Sequence, residues 1–371
     1  MKLKLEKFDR FFLITVLLLV VGGLLVFISA SLGTLAKNET LFYSILKSQL
    51  LFGLGAGLIG MYIAAKVPYK FWRKNALYIF IGSLLLTLLV FIPSLGWSHG
   101  GASRWVDFGF VSFQPAEILK FGFVIYFAAW LSFVKEKVQT FKYGIMPFGI
   151  MLIVIATILL NQPDTKNFIL ITITGLCMLF VSGAPWKQLL GILMLSLVLF
   201  TSLIFINPYL QKRVSTFINS DQDVQGASYQ VRQSMIAIGS GGIFGRGYGQ
   251  SIQKFSYLPE AHGDSIFAVL GEELGFMGTV SVIILYLLFV LRGLRISNNS
   301  PDLFSRLLVM GIVILIGAQS FMHIASIIGL FPLTGVPLPF MSHGGTSLMV
   351  YLGAVGIVLH ISKFQVKNNR N

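Results

Sequence analysis

Cysteine and charged side chains are scarce in this chain, and their scarcity excludes several classes of protein. Cys177 is the only cysteine and lies within an apolar run, so no disulfide can form within the chain. No spacing of histidine and cysteine resembles a zinc site, and no GxxxxGK[ST] phosphate loop occurs. The glycine-rich stretch GSGGIFGRGYG follows no predicted strand, so a dinucleotide-binding fold is not supported either. Nucleotide-driven transport therefore has no support in the sequence.

The composition is typical of a chain that lies largely within a lipid bilayer. Only 11% of the residues are charged, 55% are hydrophobic, and the mean hydropathy is +0.81. About 20 apolar residues are needed to cross about 30 Å of hydrocarbon. We therefore predict an all-α, polytopic membrane protein that forms a single membrane domain over residues 1–371. About ten transmembrane helices are predicted, at residues 11–32, 44–65, 76–93, 115–134, 144–160, 168–184, 189–207, 264–291, 307–330 and 346–362.

Lysine and arginine are unevenly distributed between alternate loops. One set of loops is basic, at residues 2–10, 66–74, 135–142, 187, 292–306 and 363–370. Because cytoplasmic loops retain positive charge, both termini are predicted to be cytoplasmic, with a long extracytoplasmic loop at about 207–263 between helices 7 and 8. The first apolar run is expected to be retained as an anchor helix. The net charge of +14 is then explained by the basic cytoplasmic loops, which are attracted to anionic lipid. No nucleic-acid partner is expected.

Unusual polar residues collect at the predicted extracytoplasmic ends of the helices. They are Glu117 and Lys120 in SFQPAEILK, Asp164 in NQPDTKN, Asp264 in LPEAHGDS, and Ser342, His343 and Thr346 in MSHGGTS. Each has a structural alternative, because an aspartate can cap a helix, and a glutamate and a lysine three residues apart can form an internal ion pair. Four charged groups at one depth beneath a long loop nevertheless favour an electrostatic site over separate caps.

Other polar residues each allow two interpretations. Glu272 and Glu273 lie about 12 Å or more below Asp264, as calculated from the helical rise, and they are the best evidence in the sequence for a polar transport route through the membrane. His262 either assists Asp264 or is a solvated bystander. Trp105 is either an interfacial anchor or, with its neighbour Arg104, part of a phosphate-facing group. Backbone amides in the glycine-rich stretch could also hold a phosphate.

An outward-facing carboxylate cluster at a bilayer surface suits a lipid-carried substrate. A carboxylate can act as a general base towards a hydroxyl, while a divalent cation or a basic side chain stabilises a departing pyrophosphate. Sugar transfer from a polyprenyl pyrophosphate needs both functions. Carboxylate oxygens also suit magnesium or manganese.

Four blocks of the chain, in the same order, resemble the SEDS (shape, elongation, division and sporulation) family of membrane peptidoglycan glycosyltransferases, which includes FtsW and RodA. QKFSYLPEAH is more similar to the division-type FtsW branch than to the elongation-type RodA branch. The blocks are ASRWVDFGFVSFQPAEILK from Ala102, NQPDTKNF from Asn161, YQVRQSMIAIGSGGIFGRGYGQSIQKFSYLPEAHGDSIFAVLGEELGF from Tyr229, and GLFPLTGVPLPFMSHGGTS from Gly329.

The resemblance implies an inverting glycosyltransferase that polymerises lipid II into glycan strands at the outer face of the cytoplasmic (inner) membrane, for septal wall synthesis. Undecaprenyl pyrophosphate would leave, and Asp264, which matches the family's catalytic position, would deprotonate the acceptor 4-hydroxyl. A divalent cation, Mg²⁺ or Mn²⁺, is implied at Glu117 and Asp264. Residues implied to bind substrate or pyrophosphate are Lys120, Glu117, Asp164, Arg104, Trp105, Gln230, Gln233, Glu260, His262 and Ser342. Implied partners are lipid II, the undecaprenyl-linked glycan strand, a class B penicillin-binding protein and divisome proteins.

The chain departs from the family pattern near two of these carboxylates. Gly263 and Ser265 flank Asp264 where the family commonly has Thr and Phe, and His343 stands where it commonly has Tyr. The PDTKN run replaces a PDFGT-like run, so that Lys166 adds a positive charge near Asp164. Three alternative functions remain open: a lipid II flippase or other transporter, an elongation-type polymerase, and a non-catalytic scaffold for a penicillin-binding protein.

Overall fold

The computed structural model describes residues 8–99, 102–107, 112–206, 208–218 and 227–364, and most of these residues are helical. The helices are α1 (Arg10–Leu35), α2 (Glu39–Lys47), α3 (Ala56–Lys66), α4 (Tyr69–Lys74), α5 (Ala76–Leu88), α6 (Pro115–Val134), α7 (Ile145–Asn161), α8 (Thr165–Val181), α9 (Trp186–Ile206), α10 (Pro208–Ile218), α11 (Ala227–Ser240), α12 (Gln253–Ser256), α13 (Ile266–Asn298), α14 (Leu303–Ile327) and α15 (Gly345–Ile361). A π-helical stretch, Ser48–Gly55, joins α2 to α3 without a break.

Helices that can span a membrane occur along the whole chain. Among the described residues, six helical segments are long and apolar enough to cross one: Arg10–Leu35, Glu39–Lys66, Pro115–Gln139, Ile266–Asn298, Leu303–Ile327 and Gly345–Phe364. Shorter apolar helices occupy Ala76–Phe91, Ile145–Asn161 and Thr165–Val181, and α9 covers a further predicted span. Each predicted span thus coincides with a helix, and the prediction of an all-α polytopic membrane protein is confirmed.

The core is centred on α14, which packs against α6, α8 and α13. Its residues are mostly apolar and are buried on all sides of the helix, as expected for a helix surrounded by protein rather than lipid. Around it, α1 lies along α13, α3 along α15, and α5 along α6. Helices α6, α13, α14 and α15 therefore converge, and their outer ends are the place where the predicted site residues can meet.

Two opposite faces of the helical bundle can be recognised from contacts near the helix ends. At one face, the backbone N–H of Asp9, just before α1, donates to Ser362 Oγ after α15 at 3.0 Å. Arg292, towards the end of α13, binds the same aspartate at 2.8 Å. At the other face, Thr34 at the end of α1 lies 3.5 Å from His262, just before α13. The two described chain ends thus share one face, as the distribution of basic loops predicts, and Asp264 lies at the other.

A small antiparallel sheet lies between α5 and α6, and the sequence did not predict it. Its strands are β1 (Gly96–His99), β2 (Ala102–Asp107) and β3 (Ser112–Phe113), in the order β1-β2-β3. Arg104 of β2 donates from Nε to the carbonyl of Gln162 at 3.2 Å and from Nη2 to the carbonyl of Pro163. The hairpin is therefore fastened to the turn between α7 and α8.

The segment 207–263, predicted as a long loop, is largely helical where the structure describes it. It contains α10, α11 and α12, and α11 packs against the outer half of α13. Ser234 and Ala237 on α11 are completely buried there. The sequence left the conformation of this loop open, and α11 is helical there because it has an apolar face to bury.

Helix α13 is broken at Gly275, whose φ of 66° and ψ of −163° are not helical. A positive φ is readily accessible only to glycine, so the break is encoded locally. It leaves backbone groups without helical partners, which is costly in hydrocarbon unless protein satisfies them. Residues 241–252, which we call the re-entrant segment, do so: Arg246 N donates to Glu272 O at 3.0 Å, and Phe276 N donates to Gly242 O at 2.9 Å.

The re-entrant segment also contacts α1 well below its outer end. Tyr248 donates from its hydroxyl to the carbonyl of Leu25 at 2.8 Å, ten residues before α1 ends at Leu35. Since α1 rises about 1.5 Å per residue, this contact lies well within the predicted membrane. The chain therefore enters the membrane region with α11, turns through the re-entrant segment, and returns to the outer face to place Asp264 before α13.

Candidate functional site

Asp264 is half-buried and lies in the turn that immediately precedes α13. It faces Gly335, in the non-helical segment between α14 and α15: a Cβ built on Gly335 would lie 3.0 Å from Asp264 Oδ2. The same point would be 3.9 Å from Arg213 Nη2 of α10, and Lys166 of α8 donates from Nζ to the carbonyl of Gly335. One carboxylate and two cations from three distant parts of the chain thus surround a single glycine.

The turn that carries Asp264 is held by hydrogen bonds on both sides. Ser342 donates from Oγ to the carbonyl of Gly263 at 2.8 Å. Ser265 donates from Oγ to the carbonyl of Pro259 at 2.8 Å and accepts from Gln230 Nε2 at 2.9 Å. Ser342 and Gln230, both predicted to bind substrate, therefore position the backbone on either side of the carboxylate.

Gln49 holds the segment before α15 that carries Ser342, and sequence reasoning missed it. Its side chain is buried in the π-helical stretch, where Nε2 donates to the carbonyl of Ser342 at 3.2 Å and Oε1 accepts from Gly344 N at 3.0 Å. Stretches of π-helix are frequent at functional sites. A lone amide within an apolar span is the signal that could have identified it.

Two histidines, His262 in the Asp264 turn and His343 before α15, have ring centres 5.4 Å apart. Burial lowers the pKa of His262 below its usual 6.5, although the Glu260 and Asp264 carboxylates act in the opposite direction. Burial, together with a smaller effect of His262, lowers the pKa of His343 to about 4. Both rings are therefore neutral at pH 7 and supply no positive charge to an anionic substrate.

Glu117 and Lys120 form a closed network in the interior. Lys120 Nζ lies 3.0 Å from Glu117 Oε1 and donates to Gln319 Oε1 at 2.7 Å. Tyr351 donates from its hydroxyl to Glu117 Oε2 at 2.8 Å, and it also hydrogen-bonds Gln319. All four side chains are at most 1% exposed. The internal ion pair that the sequence left open is present, and the substrate-binding role of these residues stays a prediction.

Asp164 is fully buried just before α8. Its Oδ2 accepts from Asn167 Nδ2 at 2.8 Å and from Gln114 Nε2 at 3.2 Å, which joins α8 to the residue before α6. Its Oδ1 is buried and has no hydrogen-bond partner within the part of the chain that the structure describes. One oxygen thus has structural partners, and the predicted role of the carboxylate in binding remains a prediction.

The remaining predicted residues border the site at different distances. Trp105 is half-buried and pairs with Trp97 across β1 and β2, while Arg104 holds the α7–α8 turn as described above. Gln233 is half-buried on α11, one turn from Gln230. Glu260 is exposed in the Asp264 turn, with Oε2 3.5 Å from a Cβ built on Gly263.

Glu272 and Glu273 are held by the re-entrant segment and the residues that follow it. Glu273 accepts from Lys254 Nζ at 2.7 Å and from Ser29 Oγ at 2.6 Å. Glu272 accepts from Ser251 Oγ at 2.6 Å and from the amides of residues 252 and 253 at 3.1 and 3.2 Å. Both carboxylates are essentially unexposed. Their burial is explained by anchoring of the backbone, so they give no support to a polar transport route.

The glycine-rich stretch does not form the phosphate cradle that its sequence allows. Its amides at Gly241, Gly242, Gly245, Arg246 and Gly247 all donate to backbone carbonyls of the protein. Those N–H groups cannot also bind a phosphate in this conformation, so the stretch serves to satisfy the broken α13 helix.

The side-chain oxygens of the site offer little to a divalent cation. No group of three or more His, Cys, Asp or Glu side chains that could hold a metal occurs among the described residues. Glu117 does not fit, because Lys120 and Tyr351 occupy its two oxygens. Asp264 fits only as one ligand beside substrate phosphates, an arrangement that Mg²⁺ commonly adopts.

Comparisons with known proteins agree with this architecture. Residues 9–367 match a family model described as "Cell cycle protein", which covers FtsW, RodA and SpoVE. A "Probable peptidoglycan glycosyltransferase FtsW" of Geobacter sp. (strain M18) is 38% identical over 359 residues, which cover 97% of this chain and 98% of the relative. Stage V sporulation protein E of Bacillus subtilis is 36% identical over 352 residues, 95% of this chain and 96% of the relative.

One solved structure extends the likeness to three dimensions. It is described as "Structural coordination of polymerization and crosslinking by a peptidoglycan synthase complex", and one of its chains aligns with a TM-score of 0.78 and 26% identity. The alignment covers 97% of this chain and 99% of that chain. The resemblance seen in the sequence is confirmed: this chain belongs to the FtsW, RodA and SpoVE family of cell cycle proteins.

Proposed function

We propose that this protein is a peptidoglycan glycosyltransferase that polymerises lipid II into glycan strands at the outer face of the cytoplasmic membrane. The observation that carries the proposal is the position of Asp264, half-buried in a turn fastened on both sides at the face opposite the chain ends. A relative 38% identical over nearly the whole chain is named a peptidoglycan glycosyltransferase, which supports the same activity.

In the proposed reaction, Asp264 accepts the proton of the acceptor 4-hydroxyl, and the oxygen attacks C1 of the donor sugar from the side opposite the pyrophosphate. A carboxylate is suited to this because it is ionised at neutral pH and needs only hydrogen-bond contact with the hydroxyl. The hydrogen bonds from Ser342 and Gln230 fix the turn, so the carboxylate is oriented before substrate arrives. His262 and His343 are neutral at pH 7 and therefore add no positive charge to the site.

A membrane-embedded cavity suits the lipid part of the substrate. It has a volume of about 310 Å³ and apolar walls contributed by α3, α4, α5, α6, α14 and α15. Ile118 and Phe121, which line it, lie on α6 directly beside Glu117 and Lys120. We assign this cavity to a polyprenyl chain, because apolar walls bind hydrocarbon more readily than a sugar.

The cofactor and the setting belong to the same proposal. Mg²⁺ or Mn²⁺, held by Asp264 together with the substrate phosphates, would neutralise charge on the leaving group. The FtsW name of the Geobacter relative supports a role in septal synthesis at the inner membrane with divisome proteins. The likeness to a chain of a complex that coordinates polymerization and crosslinking supports a class B penicillin-binding protein as partner.

The decisive experiment gives purified protein fluorescent lipid II with Mg²⁺ or Mn²⁺ and resolves the products by gel. We expect wild type to make glycan strands and Asp264→Asn to lose at least about 100-fold in rate, the lower range for a general base. Glu39→Gln, which removes an exposed carboxylate at the same face, is the control and is expected to retain activity. An equal unfolding temperature would show that Asp264→Asn is folded.

Three other outcomes would contradict the proposal. Normal strand synthesis by Asp264→Asn would remove this residue from the catalytic step. Lipid II scrambling without strand synthesis would favour a transporter. A protein that does neither alone, yet stimulates a copurified transpeptidase, would be a scaffold.

A further inference from the structure

We propose that Lys166 and Arg213 form a binding site for the substrate's pyrophosphate on either side of Gly335, next to Asp264. The inference rests on the proposed glycosyl transfer and names the side chains that hold its leaving group. Neither residue was predicted to bind substrate from the sequence.

The geometry brings both cations to the carboxylate. Lys166 donates to the carbonyl of Gly335, while Arg213 Nη2 and Asp264 Oδ2 approach the Cα side of the same residue, 3.9 and 3.0 Å from the point that a Cβ would occupy. All three charged side chains are half-buried, so they are shielded from bulk water yet within reach of a ligand. Gly335 has a φ of +63° and no side chain, so no Cβ occupies the point that Asp264 Oδ2 and Arg213 Nη2 approach.

The two cations that the sequence predicted to bind the pyrophosphate have partners in other parts of the protein. Lys120 is completely buried between Glu117 and Gln319. Arg104 donates to the carbonyls of Gln162 and Pro163. Lys166 and Arg213, by contrast, both reach Gly335, the residue that Asp264 faces.

The location of Lys166 strengthens its attraction for an anion. It lies in the first turn of α8, where the helix dipole is positive and backbone N–H groups lack helical partners. Arg213 complements it, because a guanidinium can donate two parallel hydrogen bonds to phosphate oxygens, whereas an ammonium acts as a compact point charge. The two types of donor together suit a pyrophosphate better than a single carboxylate or sugar hydroxyl.

The charge changes in the reaction explain why two cations are needed there. The acceptor oxygen forms a bond to C1 and gives its proton to Asp264. The bond between C1 and the pyrophosphate oxygen breaks, and both of its electrons stay on that oxygen. Negative charge therefore grows on the leaving group within the space bordered by Lys166 and Arg213, where preorganised donors stabilise the transition state.

Binding and activity are measured separately to test this site. Binding of inorganic pyrophosphate is followed by calorimetry in buffer with EDTA, so that no divalent cation contributes. We expect wild type to bind, and Lys166→Gln and Arg213→Gln each to bind at least about tenfold more weakly, the effect of losing one charge-assisted hydrogen bond. Lys37→Gln, which removes an exposed cation at the same face, is the matched control and should bind like wild type.

Activity on fluorescent lipid II provides the second readout. Lys166→Gln and Arg213→Gln should lower kcat at least about tenfold, because each removes stabilisation of developing charge. Lys166→Arg should recover most of the binding and the activity, whereas Gln can still donate to the Gly335 carbonyl without the charge. This comparison separates a charge effect from a purely structural tether.

The failures of this assignment are distinguishable from those of the proposed function. If wild type polymerises lipid II but does not bind pyrophosphate, or if both Gln variants bind and polymerise as wild type does, the assignment of Lys166 and Arg213 is wrong. If Lys166→Gln and Lys166→Arg are equally impaired, the role of Lys166 is structural and the assignment is overturned. If wild type binds pyrophosphate but makes no strands, the proposed function fails instead.

Discussion

Lys254 Nζ lies 2.7 Å from Glu273 Oε1, and both side chains are buried. Lys254 also donates to Ser29 Oγ at 3.0 Å and to the carbonyl of Gly249 at 2.8 Å. One ion pair thus ties α12 to α13, to α1 and to the re-entrant segment. Since the chain runs from Lys254 directly into the turn that carries Asp264, this pair anchors the base of the candidate site.

Removing the lysine is expected to destabilise the protein strongly. Lys254→Met should lower the free energy of unfolding by about 3–5 kcal/mol, because it leaves a buried carboxylate without its cation. The double variant Lys254→Met/Glu273→Met should be more stable than the sum of the two single variants predicts. Thermal unfolding in detergent measures both. Additive losses would show that the two side chains are not coupled.

Substitution of Gly335 is expected to impair catalysis more than folding. Gly335→Ala places a Cβ 3.0 Å from Asp264 Oδ2 and adds a positive-φ strain of about 1–2 kcal/mol. Strand synthesis should fall at least about tenfold, since small displacements of a reacting group are costly. Gly329→Ala is the matched control, because its φ is also positive, at +76°, while its Cβ would meet the flexible Met235 Sδ at 3.4 Å. Equal activity of the two variants would contradict the role assigned to Gly335.

The network around Glu117 can be tested through Tyr351. Tyr351→Phe removes the hydroxyl that donates to Glu117 Oε2, and it should lower stability by about 1–3 kcal/mol, the effect of a buried acceptor left unsatisfied. The KM for lipid II should stay unchanged if Glu117 acts only within the core. A raised KM with unchanged stability would instead support the predicted contact of Glu117 with substrate.

Acidification should weaken the fold through His343. Its pKa is about 4 in the folded protein and 6.5 as an ordinary histidine, so between these values the unfolded state binds more protons. Stability is therefore expected to fall as the pH drops from 6.5 towards 4 and to be independent of this residue above 6.5. His343→Gln should show a smaller loss of unfolding temperature over that range. An identical pH dependence in both proteins would contradict the neutral, buried state of the ring.

The features predicted correctly from the sequence depend on local composition. Each apolar run of membrane-spanning length became a helix, since backbone groups in hydrocarbon must be satisfied within the segment. The ion pair of Glu117 and Lys120 follows from their spacing on one helix face. The order of the basic loops gave the face on which Asp264 lies.

The features that were missed depend on residues far apart in the chain. Ser29 and Glu273 are 244 residues apart, and Lys120 and Gln319 are 199 residues apart, so no local pattern could connect them. For this reason Glu272 and Glu273 suggested a transport path, whereas their partners are structural. The convergence of Lys166, Arg213 and Asp264 on Gly335 was hidden in the same way.

The buried charges of α6 and α13 occur as opposite pairs. Glu117 has Lys120 at 3.0 Å, Glu273 has Lys254 at 2.7 Å, and Glu272 has Arg246 at 3.6 Å. A membrane voltage does work of about 2.3 kcal/mol per 100 mV on a lone charge that crosses the bilayer, but very little on a pair whose members share one depth. Strand synthesis in proteoliposomes should accordingly proceed at the same rate whether or not a potassium diffusion potential is imposed.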